Sequence, residues 1–252
     1  MNGLIKITLL MLVMIWSGMK ASAFENEKLN YIISYKWGLI HKEAGDAEMS
    51  LINNGNLYEL KLTGKTRPWA DKFYRVRDTL ISKVKKDGFR PVQYTKIANE
   101  KGKYGHDDIK FTYASNASNA EIKKIRVNKN GERTEKNFNV EGTLPAFDML
   151  SVFYFLRQLD FNNLKKGEEI KATIFSSQHA EELTVKYEGV ENIKLYDKSK
   201  RDTYHITFKF TTGGKKKSSD DIDAWISMDS KKIPLLVVGS LPVGQVKCYY
   251  VP

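Results

Sequence analysis

Past the first two dozen residues, apolar and polar positions alternate with the two-residue period of a half-buried β-strand. In "LYELKLT" the residues Tyr58, Leu60 and Leu62 share one side, and Glu59, Lys61 and Thr63 the other. "DIKFTY" sets Ile109, Phe111 and Tyr113 inward, "ELTVKY" sets Leu183, Val185 and Tyr187, and "YHITFKF" sets Tyr204, Ile206, Phe208 and Phe210. Turn signals separate the runs: Asn53-Asn54-Gly55-Asn56, Asp87-Gly88, Asn130-Gly131 and Gly213-Gly214. Such pairs supply the positive φ angles of tight hairpins, so consecutive strands are predicted to be antiparallel neighbours. The runs number roughly a dozen, more than a twisted open sheet carries without curling. A mainly β fold follows, a large curled antiparallel sheet forming a barrel or partial barrel with an aromatic-lined concave face. The Asn- and Ser-rich "ASNASNAEIKK" around residue 117 reads as an exposed loop.

One stretch breaks the rhythm. In "FDMLSVFYFLRQLDF", Met149, Val152, Phe153, Leu156 and Leu159 recur at helical spacing, and Arg157 lies where a cation complements the helix dipole. One short α-helix near residues 146–160 is predicted. Three charged residues (Asp148, Arg157, Asp160) and a length of 15 residues exclude a membrane span. Two readings stay open: a core helix, or a lid or plug whose Met149, Val152, Phe153 and Leu156 cover either protein side chains or a ligand.

The N-terminus has its own pattern. "MNGLIKITLLMLVMIWSGMKASAF" combines Lys6, an apolar run from Ile7 to Trp16 and the small-residue Ala21-Ser22-Ala23 site. That is a cleavable secretory signal peptide over 1–23, leaving 24–252 as a single domain. No cysteine follows the apolar run, so a lipoprotein is not expected; the predicted location is the periplasm. The single cysteine, Cys248, allows no internal disulfide and reads as a buried thiol in a terminal strand.

Without Lys6 and Lys20 the formal charge falls from +11 to +9. An exported chain with no nucleic-acid motif directs that charge to anionic glycans, lipid headgroups or solubility. No nucleophile motif is present. His41, His106, His179 and His205 are dispersed, so no metal and no cofactor is predicted. "GHDDIK" reads as a loop at best, and His205 as a solvated outward residue. Asp220, Asp221 and Asp223 of "SSDDIDAW" read as a solvated strand entry. The chain is therefore expected to be non-catalytic.

For ligand binding, "KTRPWADKFYRVRD" interleaves Arg67, Trp69, Arg75 and Arg77, a pattern that suits an anionic sugar or headgroup. Trp37 alternates with core positions and is expected inside, whereas Trp225 shares a face with polar residues, at a rim or under the helix.

Three segments, "YIISYKWGLIHKEAGDAEMSL", "DMLSVFYFLRQLDF" and "AWISMDSKKIPLLVVGSLPVGQV", resemble the exported bacterial family called domain of unknown function 3108. The segment "RVRDTLISKVKKDGFRPVQY" fits between the first two, and the resemblance covers essentially the whole mature chain. It implies an all-β, barrel-like domain with a short helical insertion in the periplasm of a Gram-negative bacterium, and it carries over no catalytic residue. Two functions remain: a binding or carrier module for an amphipathic lipid or glycan, or an envelope assembly factor with a filled barrel and a protein partner. Whether the concave side is empty or filled separates them.

Overall fold

The computed structural model describes residues 24–175, 178–212, 221–240 and 244–252. The expected signal segment 1–23, Asp220 and the expected turn at Gly213-Gly214 lie outside them.

Among the described residues fifteen strands form one sheet. They are β1 (Glu27–Trp37), β2 (Ile40–Asn54), β3 (Leu57–Thr66), β4 (Val76–Lys85), β5 (Pro91–Glu100), β6 (Lys103–Tyr113), β7 (Ala117–Val127), β8 (Arg133–Thr143), β9 (Ala146–Asp148), β10 (Glu169–Phe175), β11 (Ala180–Lys194), β12 (Lys200–Thr212), β13 (Ile222–Ser227), β14 (Pro234–Ser240) and β15 (Gln245–Val251). Helix α1 (Pro68–Tyr74) follows β3 and α2 (Ser151–Leu156) follows β9. Chain neighbours pair antiparallel from β1 to β8 and from β10 to β15, and β15 returns to β1. Short turns dictate this meander; Gly55, at φ +61°, closes the β2–β3 hairpin in a conformation a side chain would strain.

The two-residue period governs burial in most strands. Leu60, Ile109, Leu183 and Ile206 are at most 1 % exposed, and of their polar neighbours only Thr184 is buried. The segment from Ala117, expected as a loop, is instead β7, with Ser118, Ala120, Ile122 and Lys124 buried. Pairing with β6 on one side and β8 on the other overrides its Asn- and Ser-rich composition. Trp37, expected in the core, is 54 % exposed. It pairs with Ile40 at the tip of the β1–β2 hairpin, past the last residue of β1 that pairs with β15.

The sheet does not close edge to edge. Its two ends, β8 and β9, overlap: a Cβ on Gly142 of β8 would stand 2.7 Å from Thr173 Cγ2 and 2.8 Å from Phe175 Cζ of β10. Both faces of β10 are therefore buried, Phe175 against Phe111 in one core and Ala172 and Ile174 in another.

The helical segment separates these two cores. Leu150 and Tyr154 join the cluster built by β1 to β7, and Phe147, Val152, Phe155, Leu156 and Leu159 join that of β10 to β13. The helix is shorter than its periodic stretch, six residues against about fifteen, because Ala146–Asp148 extends to pair with β10. Asp148, fully buried, ties the junction: its Oδ1 accepts the backbone N–H of Leu150 (2.7 Å) and Ser151 (2.8 Å), and its Oδ2 accepts the Ser82 hydroxyl at 2.5 Å. Burial pushes its carboxyl above the ordinary aspartate range. At the far end Arg157, 4 % exposed, pairs with Glu27 and donates to the Lys231 carbonyl at 2.9 and 3.1 Å. A buried guanidinium needs partners of this kind to offset its desolvation.

The stretch from Met149 to Leu156 thus packs between the two side-chain cores within the rolled sheet. Val152 and Leu156 are buried, Phe153 packs edge-on to Phe208, and Met149 touches both cores. The side chains around these four residues are those of the two cores.

Candidate functional site

The β11–β12 hairpin builds the site. It is far longer than β13, its neighbour: β12 meets β13 only from Thr203 to Phe208, so the tip overhangs. A bulge between Tyr187 and Gly189, the latter at φ +105°, lets β11 bend. The bent tip turns over the outer face of the sheet and buries Ile193 on Leu236 and Val238 of β14.

Two clasps hold it there. At the root, Glu191 accepts Trp225 Nε1–H at 2.8 Å and lies 3.1 Å from His205 Nδ1. His205 stacks on the Trp225 indole, centroids 4.7 Å apart and planes at 9°, and its Nε2 is 2.8 Å from Asp223 Oδ1. At the tip, the Tyr196 hydroxyl donates to Glu43 of β2 and its ring rests on Tyr249 at 5.9 Å. Arg67 reaches Glu43 and also binds Asp46 at 2.6 Å, and Trp69 Nε1–H donates to the Glu43 carbonyl at 2.6 Å. The Tyr196 hydroxyl first, and then the Arg67 guanidinium, hold the Glu43 carboxyl below its usual range.

Between hairpin and sheet runs an outer groove of about 790 Å³, within the size range of small-ligand sites. Aromatic faces come from Trp225, Tyr196 and Tyr249, and apolar floor from Ile193, Leu236 and Val238. Lys42, Lys194, Lys198 and Lys247 line it against Glu43, Glu191 and Asp223. Four lysines thus face three acids, one of which, Glu43, is also met by Arg67, so the lysines set the sign of the groove.

The structure thus gathers Trp225, Arg67 and Trp69, 156 or more positions apart along the chain from Trp225, around one groove. Trp225 lines it, while Arg67 and Trp69 buttress it from behind through Glu43. Trp225 is not under the helix, and His205, expected in solvent, is held between two carboxylates on the indole. Arg77 instead binds Asp71 at 2.7 Å within the α1 turn, and Arg75 caps α1 away from the groove. Glu43, Glu191, Tyr196 and Tyr249 escaped the sequence reading. The one cue was the unequal length of the β11 and β13 patterns, which implies an overhanging hairpin.

The other candidates resolve simply. "GHDDIK" belongs to β6, where Asp107 points inward to Arg126, and Asp108 points outward and accepts from Gln93 at 2.8 Å. Cys248 pairs across to Ile33 and Val237, and burial pushes its thiol up to about 11. Among the described residues no three His, Cys, Asp or Glu side chains gather as metal ligands. Among them, too, no helix is long and apolar enough to cross a membrane.

These features define a β-barrel-like protein in which one rolled sheet encloses a short helix. The family described as "Protein of unknown function (DUF3108)" matches residues 30–250, and the chain belongs to it. A crystal structure of a β-barrel-like protein of domain of unknown function DUF1849 from Brucella abortus is similar in fold, with a TM-score of 0.59 at 10 % identity, covering 90 % of this chain and 96 % of that one. No curated protein matches in sequence.

Proposed function

We propose that this is an exported, non-catalytic binding protein of the periplasm that takes a saccharide bearing acidic groups in the outer groove. The observation that carries the reading is the pairing of aromatic faces with unspent lysines: Trp225, Tyr196 and Tyr249 beside Lys194, Lys198 and Lys247, while the groove's acids are engaged by the protein. Indole and phenol rings stack on sugar faces, and ammonium groups meet carboxylate or phosphate. A lipid held inside the barrel has less support, because α2 and two side-chain cores occupy the interior.

Muropeptides released from purified sacculi and an oligogalacturonate are suitable probes, followed by calorimetry and tryptophan fluorescence. Saturable binding that Lys198→Gln/Lys247→Gln weakens by about tenfold, roughly 1.4 kcal/mol, would support the reading. Absence of binding to either probe, or binding indifferent to those changes, would overturn it.

A second reading has its own observation. The β8 edge from Arg133 to Glu141 is largely exposed and ends the sheet, a surface to which a partner strand could add. Periplasmic crosslinking from position 137 with no reproducible protein recovered would count against it.

A further inference from the structure

We propose that one end of the barrel docks on an anionic lipid bilayer, placing the β1–β2 tip and α1 in its surface. The antiparallel meander sends the β1–β2, β3–β4, β5–β6 and β7–β8 connections to the same end of the sheet. At that end Leu39 is fully exposed, and Phe73, Trp37 and Tyr74 are 74, 54 and 44 % exposed. The opposite connections of these strands, at 55–56, 86–90 and 114–116, hold one large apolar side chain, Phe89, which is entirely buried. The two ends therefore differ in kind.

Single exposed apolar residues are ordinary, whereas four of them along one rim mark a surface that meets something other than water. Local contacts hold the rim in place. Helix α1 buries Ala70, and the Trp69 Nε1–H and the Arg67 N–H donate to the Glu43 and Ala44 carbonyls of β2 at 2.6 and 2.8 Å. Leu39 stands four residues from Glu43, on the order of 13 Å along extended chain. On the other side of α1 the Lys101 N–H donates to the Arg75 carbonyl at 3.0 Å, and a Cβ on Gly102 would stand 3.8 Å from Lys129 Cγ. Tip, helix and the two further turns thus form one rim.

Charge favours a lipid surface over an apolar protein partner. Lys72, Arg75, Lys101 and Lys129 are exposed on these connections, whose acids are Glu132 and Asp71, the latter paired with Arg77 at 2.7 Å. Lys42 and Lys101 set their ammonium groups over the Trp69 and Tyr74 rings, at 4.8 and 4.7 Å. A bilayer offers what both parts need: phosphates for the cations, and just beneath them the apolar boundary at which indole and phenol rings settle. The contact is peripheral, with rim side chains entering the interface and the sheet staying outside it.

The test uses the mature chain with phosphatidylglycerol vesicles against phosphatidylcholine vesicles, followed by co-sedimentation and by quenching of tryptophan emission with brominated lipid. Phosphatidylglycerol should be preferred, with affinity falling as salt rises. Leu39→Ser/Phe73→Ser should weaken partition about tenfold, and Lys72→Gln/Lys129→Gln should remove most of the preference. All four positions are exposed, so the fold is kept. Met228→Ser, at an exposed apolar position in the β13–β14 turn at the opposite end, should change nothing. Absence of binding to phosphatidylglycerol vesicles, binding indifferent to the Leu39 and Phe73 changes, or equal loss with Met228→Ser overturns the proposal. A protein crosslinked from position 39 while vesicles stay unbound also overturns it and assigns the rim to a protein partner. Muropeptide binding in the outer groove should survive Leu39→Ser/Phe73→Ser, so the two sites fail separately.

Discussion

Glu191 of β11 and Trp225 of β13, 34 positions apart, meet in a hydrogen bond of 2.8 Å that fixes the root of an overhanging hairpin to the outer face of the sheet. The same carboxylate also reaches His205, so one acidic side chain orients both rings of the stacked pair. Trp225→Phe removes the N–H donor and retains an aromatic face. It should cost about 1 kcal/mol in urea unfolding, the worth of one such bond. Both changes delete the indole and with it the Trp225 fluorescence response, whereas only Trp225→Ala removes the aromatic face and should weaken saccharide binding in the groove. Equal ligand affinity in both variants would show that the indole is merely structural.

Asp148 presents a sharper contrast between two substitutions. Asp148→Ala strands the Ser82 hydroxyl and two backbone N–H groups in the core, and should cost about 3 kcal/mol or more. Asp148→Asn can keep every contact, accepting from Leu150 and Ser151 and donating to Ser82, and should stay within about 1 kcal/mol of the parent. The pH dependence follows from the raised folded-state pKa. Its contribution to stability is fully present below the ordinary value of 3.8 and is lost as pH rises through the folded value. Denaturation midpoints from pH 3 upward should therefore show Asp148→Asn gaining on the parent; a constant difference would refute the assignment.

A plug and a lid respond differently to truncation. Leu156, 4 % exposed within the β10 to β13 core, should cost about 2–5 kcal/mol when changed to Ala, because the cavity cannot collapse between a helix and a sheet. A lid residue would lose little stability and much ligand affinity. Chemical denaturation of Leu156→Ala decides between them.

Cys248 should be inert in the native protein. With its thiol pushed up to about 11, almost no thiolate exists at pH 8, and reaction with an aromatic disulfide reagent should follow unfolding. Fast stoichiometric labelling of the folded chain at pH 8 would contradict the desolvation of the Cys248 thiol.

The residues differ in how much of this was readable along the chain. Tyr58, Leu60 and Leu62 declare their face because a strand side chain has only two directions, so local alternation is enough. Trp37 obeys the same alternation and still ends exposed, since its burial depends on whether a neighbouring strand extends that far. Ala117 to Val127 shows the converse: weak local preference, overridden by two flanking strands. Arg67 and Arg77 look alike in sequence, and only the fold assigns one to Glu43 and Asp46 and the other to Asp71.

By itself the sequence determined most of the strands, their inward faces, the antiparallel meander and the helix within the β pattern, because each depends on periodicity and turn chemistry over a few residues. Tertiary structure alone decided that the sheet overlaps itself at Gly142, that the helix is enclosed, and that Glu43, Glu191 and Trp225 surround one groove. Those are relations between residues distant in sequence, set by sheet curvature and packing.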